Sequence, residues 1–173
     1  RYSMEYILHL LILISFYTLL SQSLNLAAGY TGLISLAQAG FYGIGAYTTA
    51  ILSTQFGFSF WLNLPLAMLI SGAIAFVVSL IALRTAVDYF IICTLGIQVV
   101  LFSVMNNWME LTRGPLGIPG IPSIHLFGLN LDSKISFLIL SFLLVAFVWF
   151  ILKNISKSGY GNTLRAISED EIY

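Results

Sequence analysis

The chain has 173 residues, of which 59% are hydrophobic and only 8% charged, with seven basic residues balancing seven acidic ones. Soluble domains carry roughly 25% charged residues, so a soluble fold is excluded, and the absence of net charge gives no electrostatic footprint for nucleic acid. An outer-membrane barrel needs alternating polar and apolar positions, which the unbroken apolar run at 137–152 contradicts. The class that remains is an all-α, polytopic transmembrane helix bundle. No Asp, Glu, Lys or Arg occurs between Glu5 and Arg84.

Residues 4–20 form the first spanning segment, slightly short of the ~20 residues a spanning helix needs, and Ser21-Gln22-Ser23 predicts its end. This segment is not a cleavable signal peptide, because it has no basic leader or clean small-residue cleavage site. His9 within it reads as a histidine satisfied near the membrane interface. The charge-free stretch 24–50, LNLAAGYTGLISLAQAGFYGIGAYTTA, is too apolar for a soluble loop and too interrupted by glycine for one ordinary helix. Irregular backbone survives at membrane depth only where protein covers it or where it lines a cavity. Gly29-Tyr30-Thr31-Gly32 predicts a helix break, and residues 37–52 predict its resumption. Ala39-x-x-x-Gly43 and Ala46-x-x-x-Ala50 have the small-residue spacing that lets helix backbones approach.

A short loop at 53–59 precedes Trp61, an interfacial anchor. Residues 62–83 form the third span, with Pro65 expected in its first turn, where a missing N–H costs little. Arg84–Asp88 reads as a polar hinge, and 89–106 as the fourth span. The connection 107–134 is the longest polar one. Its core GPLGIPGIP (114–122) holds three prolines and three glycines, which forbid continuous helix and favour a stiff turn-rich loop. Residues 135–152 form the fifth span. Thereafter the chain turns polar, and Asn162 can cap a helix from Thr163 onward, with Leu164, Ile167 and Glu171 on one face and Arg165 four residues before Glu169. Successive spans alternate in direction. One side then holds Arg84, Lys153, Lys157 and Arg165, and the other Arg1, Arg113 and Lys134. The positive-inside rule puts the tail in the cytoplasm and the Pro/Gly loop outside.

Catalytic chemistry finds no support. No pair of carboxylates, metal-ligating cluster or Ser/His/Asp set lies within a plausible site, so no catalytic residue, metal or cofactor is expected. Gly43-Ile-Gly45 lacks the strand and lysine of a nucleotide loop. The single Cys93 reads as an inert buried thiol. Asn25, Gln38, Gln98 and Asn106 can each hydrogen-bond between helices or touch a solute. Asn25, Tyr30, Thr31, Ser35 and Gln38 surround the expected break, where freed backbone groups commonly bind substrates in transporters. These five are the candidate translocation pathway.

Four blocks occur in order: LNLAAGYTGLISLAQAGFYGIGAY, DYFIICTLG (88–96), NNWMELTRGPLGIPGIP (106–122) and GYGNTLRAISEDEI (159–172). Together they resemble the permease subunits of bacterial branched-chain amino acid ABC importers, in particular the type with a Gly/Pro-rich external loop. The resemblance implies a plasma (inner) membrane location and alternating access driven by two ATP-binding subunits. It also implies a second, similar permease subunit and an extracytoplasmic solute-binding protein. It makes the segment 154–173 a cytoplasmic coupling segment, with Leu164, Arg165, Ala166, Ile167, Glu169 and Asp170 at the interface with the ATPase. It further implies that 1–173 is a single permease domain lacking spans at both ends. A chain that opens at Arg1 and stops at Tyr173 without a terminating feature fits that expectation. Urea or short amides as cargo, and a secondary transporter of a small polar solute, are the alternatives.

Overall fold

The computed structural model describes residues 2–82, 84–85, 87–122, 125–126, 129–130 and 134–159. Five α-helices account for most of them: α1 (Tyr2–Thr31), α2 (Gln38–Gln55), α3 (Phe60–Ala82), α4 (Val87–Asn107) and α5 (Lys134–Lys157). A single 3-10 turn (Gly114–Leu116) follows α4. Two-residue strands β1 (His125–Leu126) and β2 (Leu129–Asn130) pair antiparallel, His125 opposite Asn130. The fold is all-helical apart from that ladder.

Within α1, α3, α4 and α5 lie segments long and apolar enough to cross a membrane, namely Met4–Tyr30, Phe60–Ala82, Tyr89–Asn107 and Lys134–Lys157. α2, with its three glycines and its terminal glutamines, is not among them. The four helices leave much of their apolar surface uncovered. Met68, Leu69 and Phe76 on α3 and Leu143, Phe147 and Phe150 on α5 are all more than half exposed. A helix that is apolar all round belongs in lipid or deep inside a larger assembly, and such surface in water would aggregate.

α1 is longer than its sequence suggests. It runs straight through Ser21-Gln22-Ser23 and ends only at Thr31, where Gly32 turns to φ 73°. Serine and threonine do not break helices inside an apolar segment, because a hydroxyl can bond back to the carbonyl four residues earlier. The Ser15 hydroxyl does so to Leu11 (2.9 Å) and the Thr18 hydroxyl to Ile14 (2.7 Å). Thirty residues at 1.5 Å each span about 45 Å, more than the ~30 Å hydrocarbon core. α3 likewise starts earlier than expected, at Phe60, so Pro65 sits in its second turn instead of its first.

The described chain forms two compact units. In the first, α1 packs along α5. Glu5 pairs with Lys134 (2.9 Å) near one end, Phe16 meets Phe137 (ring centroids 6.2 Å apart), and the Tyr30 and Ser156 hydroxyls share a hydrogen bond at the other end. The contacts follow the same order along both helices, so α1 and α5 run parallel. In the second unit α2 packs on both α3 and α4. Ala50, Ser53, Asn63, Ala67, Phe90 and Thr94 are its buried residues of note. Asn63, 2% exposed, donates from Nδ2 to the Phe58 carbonyl (3.2 Å) and so ties the turn before α3 to that helix.

Candidate functional site

A cavity of about 210 Å³ opens between the later turns of α1 and α5. Its polar lining is Gln22, Asn25, Tyr30, Lys153 and Ser156, and Trp149 with two leucines, Leu26 and Leu152, supplies the apolar wall. These positions follow from the helical repeat. Gln22, Asn25 and Leu26 stand three and four residues apart on α1, as Trp149, Leu152, Lys153 and Ser156 do on α5, and residues so spaced share a face. The Lys153 ammonium lies over the Trp149 ring, 4.6 Å from its centroid, in cation–π geometry. Gln22 Oε1 is buried with no hydrogen-bond partner among the described groups.

Two of the five candidate pathway residues, Asn25 and Tyr30, therefore line this cavity. Thr31 closes α1, and its side chain lies outside the described ones. Ser35 and Gln38 belong to the second unit, Ser35 just before α2 and Gln38 at its first position. Sequence reasoning missed Gln22, Trp149, Lys153 and Ser156. A Trp and a Lys four residues apart at the end of an apolar helix were a readable interfacial signal; their pairing with α1 was not readable.

The start of α2 is a second ordered centre. A helix leaves its first N–H groups without intrahelical partners, and Ala37 at the N-cap has no side chain to serve them. α4 supplies what the cap lacks. The Leu36 N–H donates to the Thr94 hydroxyl (3.2 Å), and the Gly40 N–H donates to Gln98 Oε1 while also facing the Ala37 carbonyl (3.0 Å). Gln98 thus has a structural role. Gly40 is buried and lets the helices approach: a Cβ there would stand 2.8 Å from both Gln98 Oε1 and Leu101 Cδ1. Gly43, one turn on, faces Met105 in the same way. The close approach to α4 thus runs through Gly40 and Gly43, whereas Ala39 and Ala46 are exposed. Ala50 is buried as that spacing suggested.

Beyond α4 the connection is ordered by Thr112, which is 3% exposed. Its hydroxyl lies 2.6 Å from the Met105 carbonyl and 2.7 Å from the Trp108 carbonyl, and accepts from the Gly114 N–H (3.2 Å). Arg113 and Gly114 both adopt positive φ, 58° and 53°, and a Cβ on Gly114 would collide with the Asn106 carbonyl oxygen at 2.5 Å. The turn-rich character expected of this loop is present from Gly114 to Leu116. The coupling residues Leu164, Arg165, Ala166, Ile167, Glu169 and Asp170 lie outside the described residues. No group of three or more metal-ligating side chains occurs among the described residues.

Comparison with known proteins accords with this architecture. Residues 6–173 match the family described as branched-chain amino acid transport system / permease component. The chain is 35% identical, over 90% of its length, to the high-affinity branched-chain amino acid transport system permease protein LivM of Salmonella typhimurium. It is 34% identical over the same share to the LivM protein of Escherichia coli. It spans 42% of the length of each of these relatives. No solved structure is significantly similar to it. Four apolar helices and a family match over nearly the whole sequence make this a multi-pass membrane protein, and the chain belongs to the family of branched-chain amino acid transport permease components.

Proposed function

We propose that the chain is part of the membrane-spanning permease subunit of an ABC importer for branched-chain amino acids in the bacterial inner membrane. The observation that carries this reading is the similarity to LivM over 90% of the chain, joined to a scaffold of apolar helices. Transport proceeds by alternating access. ATP binding and hydrolysis take place in two partner subunits, and a second, similar permease completes the pathway. An extracytoplasmic binding protein delivers solute on the side of the loop that holds Gly114 and Pro122.

Coupling falls to the segment 154–173. Leu164 and Ile167 form an apolar stripe that can be buried in a cleft of the ATPase, with Ala166 beside them, while Arg165, Glu169 and Asp170 orient it by charge. Asn25, Tyr30, Thr31, Ser35 and Gln38 flank the break between α1 and α2 and offer amides and hydroxyls to a zwitterionic solute. The test is co-purification in mild detergent of the full-length protein, intact and without residues 163–172. An ATP-binding subunit and a second permease accompany the intact protein, and the ATP-binding subunit is lost with the segment. A protein that emerges alone in both cases sinks the reading. Uptake of radiolabelled leucine against urea by the same complex then identifies the cargo.

A further inference from the structure

The cavity between α1 and α5 is rich in donors and poor in acids. Lys153 supplies an ammonium, and Gln22 and Asn25 supply amides. Among the described residues of the two helices the one carboxylate is Glu5, which sits at the opposite end of α1 and is bonded to Lys134. Lys157, one turn beyond Lys153, adds a second cation at the same helix end. The buried Gln22 Oε1 calls for a donor that the surrounding side chains do not give it. The cavity therefore suits a ligand that carries both an oxyanion and hydroxyl or N–H donors.

Its position narrows the class of ligand. Trp149 and Lys153 stand in the last turns of an apolar helix, where aromatic and basic side chains mark the membrane–water boundary. From that level Leu143, Phe147, Phe150 and Ile151 extend an exposed apolar surface back along α5. A phospholipid presents an oxyanion at headgroup depth and acyl chains along such a surface, and basic pockets between spanning helices recognise anionic headgroups.

We propose that the α1–α5 cavity holds the headgroup of an anionic phospholipid of the phosphatidylglycerol type. Lys153 pairs with the phosphodiester, and a glycerol hydroxyl donates to Gln22 Oε1. The carboxylate of a transported solute shares the oxyanion, so the experiment includes it. The proposal does not depend on the transport reading.

The test is native mass spectrometry of the full-length protein in mild detergent, titrated separately with dioleoyl phosphatidylglycerol, dioleoyl phosphatidylcholine and leucine. The wild type binds phosphatidylglycerol in preference to phosphatidylcholine. A lysine near an anionic surface is worth ~1 kcal/mol, about fivefold in affinity, so Lys153→Gln lowers phosphatidylglycerol affinity about fivefold. Lys153→Arg keeps it, and phosphatidylcholine binding does not change. Gln22→Leu, which keeps the cation, also weakens the preference. Equal phosphatidylglycerol binding by the wild type and Lys153→Gln overturns the proposal. Loss of leucine binding in Lys153→Gln with lipid binding intact overturns it too, and assigns the cavity to solute.

Discussion

The contact of Gly40 with Gln98 can be measured as a coupling energy. A methyl group at position 40 would lie 2.8 Å from Gln98 Oε1 and Leu101 Cδ1, about 0.6 Å inside the 3.4 Å at which ordinary contact begins. Overpacking of this order costs ~1–3 kcal/mol, against which alanine recovers ~1 kcal/mol of helix propensity over glycine. Gly40→Ala should therefore destabilise by about 0–2 kcal/mol. Gln98→Ala removes an interhelical hydrogen bond worth ~1 kcal/mol in a membrane, and no more than that, because the Gly40 N–H still faces the Ala37 carbonyl. The two changes do not add. Once Gln98 is shortened, the methyl at position 40 loses one of its two collisions and has no bond left to break. The double variant should fall short of the sum by about 1 kcal/mol, as neighbours in contact do. Reversible unfolding of the full-length protein in mixed micelles with increasing SDS measures all four corners of the cycle. Additivity to within about 0.3 kcal/mol, the agreement expected of independent sites, would refute the coupling and with it the capping of α2 by α4.

Other substitutions test the remaining joints. Gly114→Ala forces a Cβ against the Asn106 carbonyl in a left-handed backbone, so it should cost more than about 2 kcal/mol and speed proteolysis between α4 and Pro122. Thr112→Val strips a hydroxyl from two carbonyls and the Gly114 N–H, for a loss of about 1–3 kcal/mol, while Thr112→Ser should retain most of the stability in the same unfolding assay. Lys134→Gln breaks an exposed ion pair with Glu5 and should shift stability by no more than about 1 kcal/mol. Replacing Arg165 or Glu169 should reduce leucine uptake by the reconstituted complex with little change in the protein's own stability; unchanged uptake would speak for a purely structural membrane subunit.

How much of this was legible in the sequence depends on the range of the interaction. The apolar runs announce the spanning helices because their composition alone settles them, and α3, α4 and α5 agree with the expected spans to within a few residues at most boundaries. The end of α1 was misjudged because Ser21-Gln22-Ser23 looks polar on paper, yet only Gly32, with its positive φ, stops the helix. The cap on α2 joins residues 58 positions apart, and no local pattern around Ala37 reveals that Gln98 serves it. The small-residue spacing was visible, but which face met α4 was not, so Gly40 took the place expected of Ala39. Asn25 and Tyr30 could be chosen because they flank a break. Their cavity partners Trp149, Lys153 and Ser156 depend on α1 and α5 running side by side, across more than a hundred intervening residues.

The most direct test of the transport reading is leucine uptake into proteoliposomes that hold the full-length protein with its co-purified partners, measured with and without ATP in the lumen that corresponds to the cytoplasm. The account predicts uptake that requires ATP and is abolished when residues 163–172 are deleted. Leucine uptake that proceeds without ATP would contradict it and would return the chain to the secondary transporters.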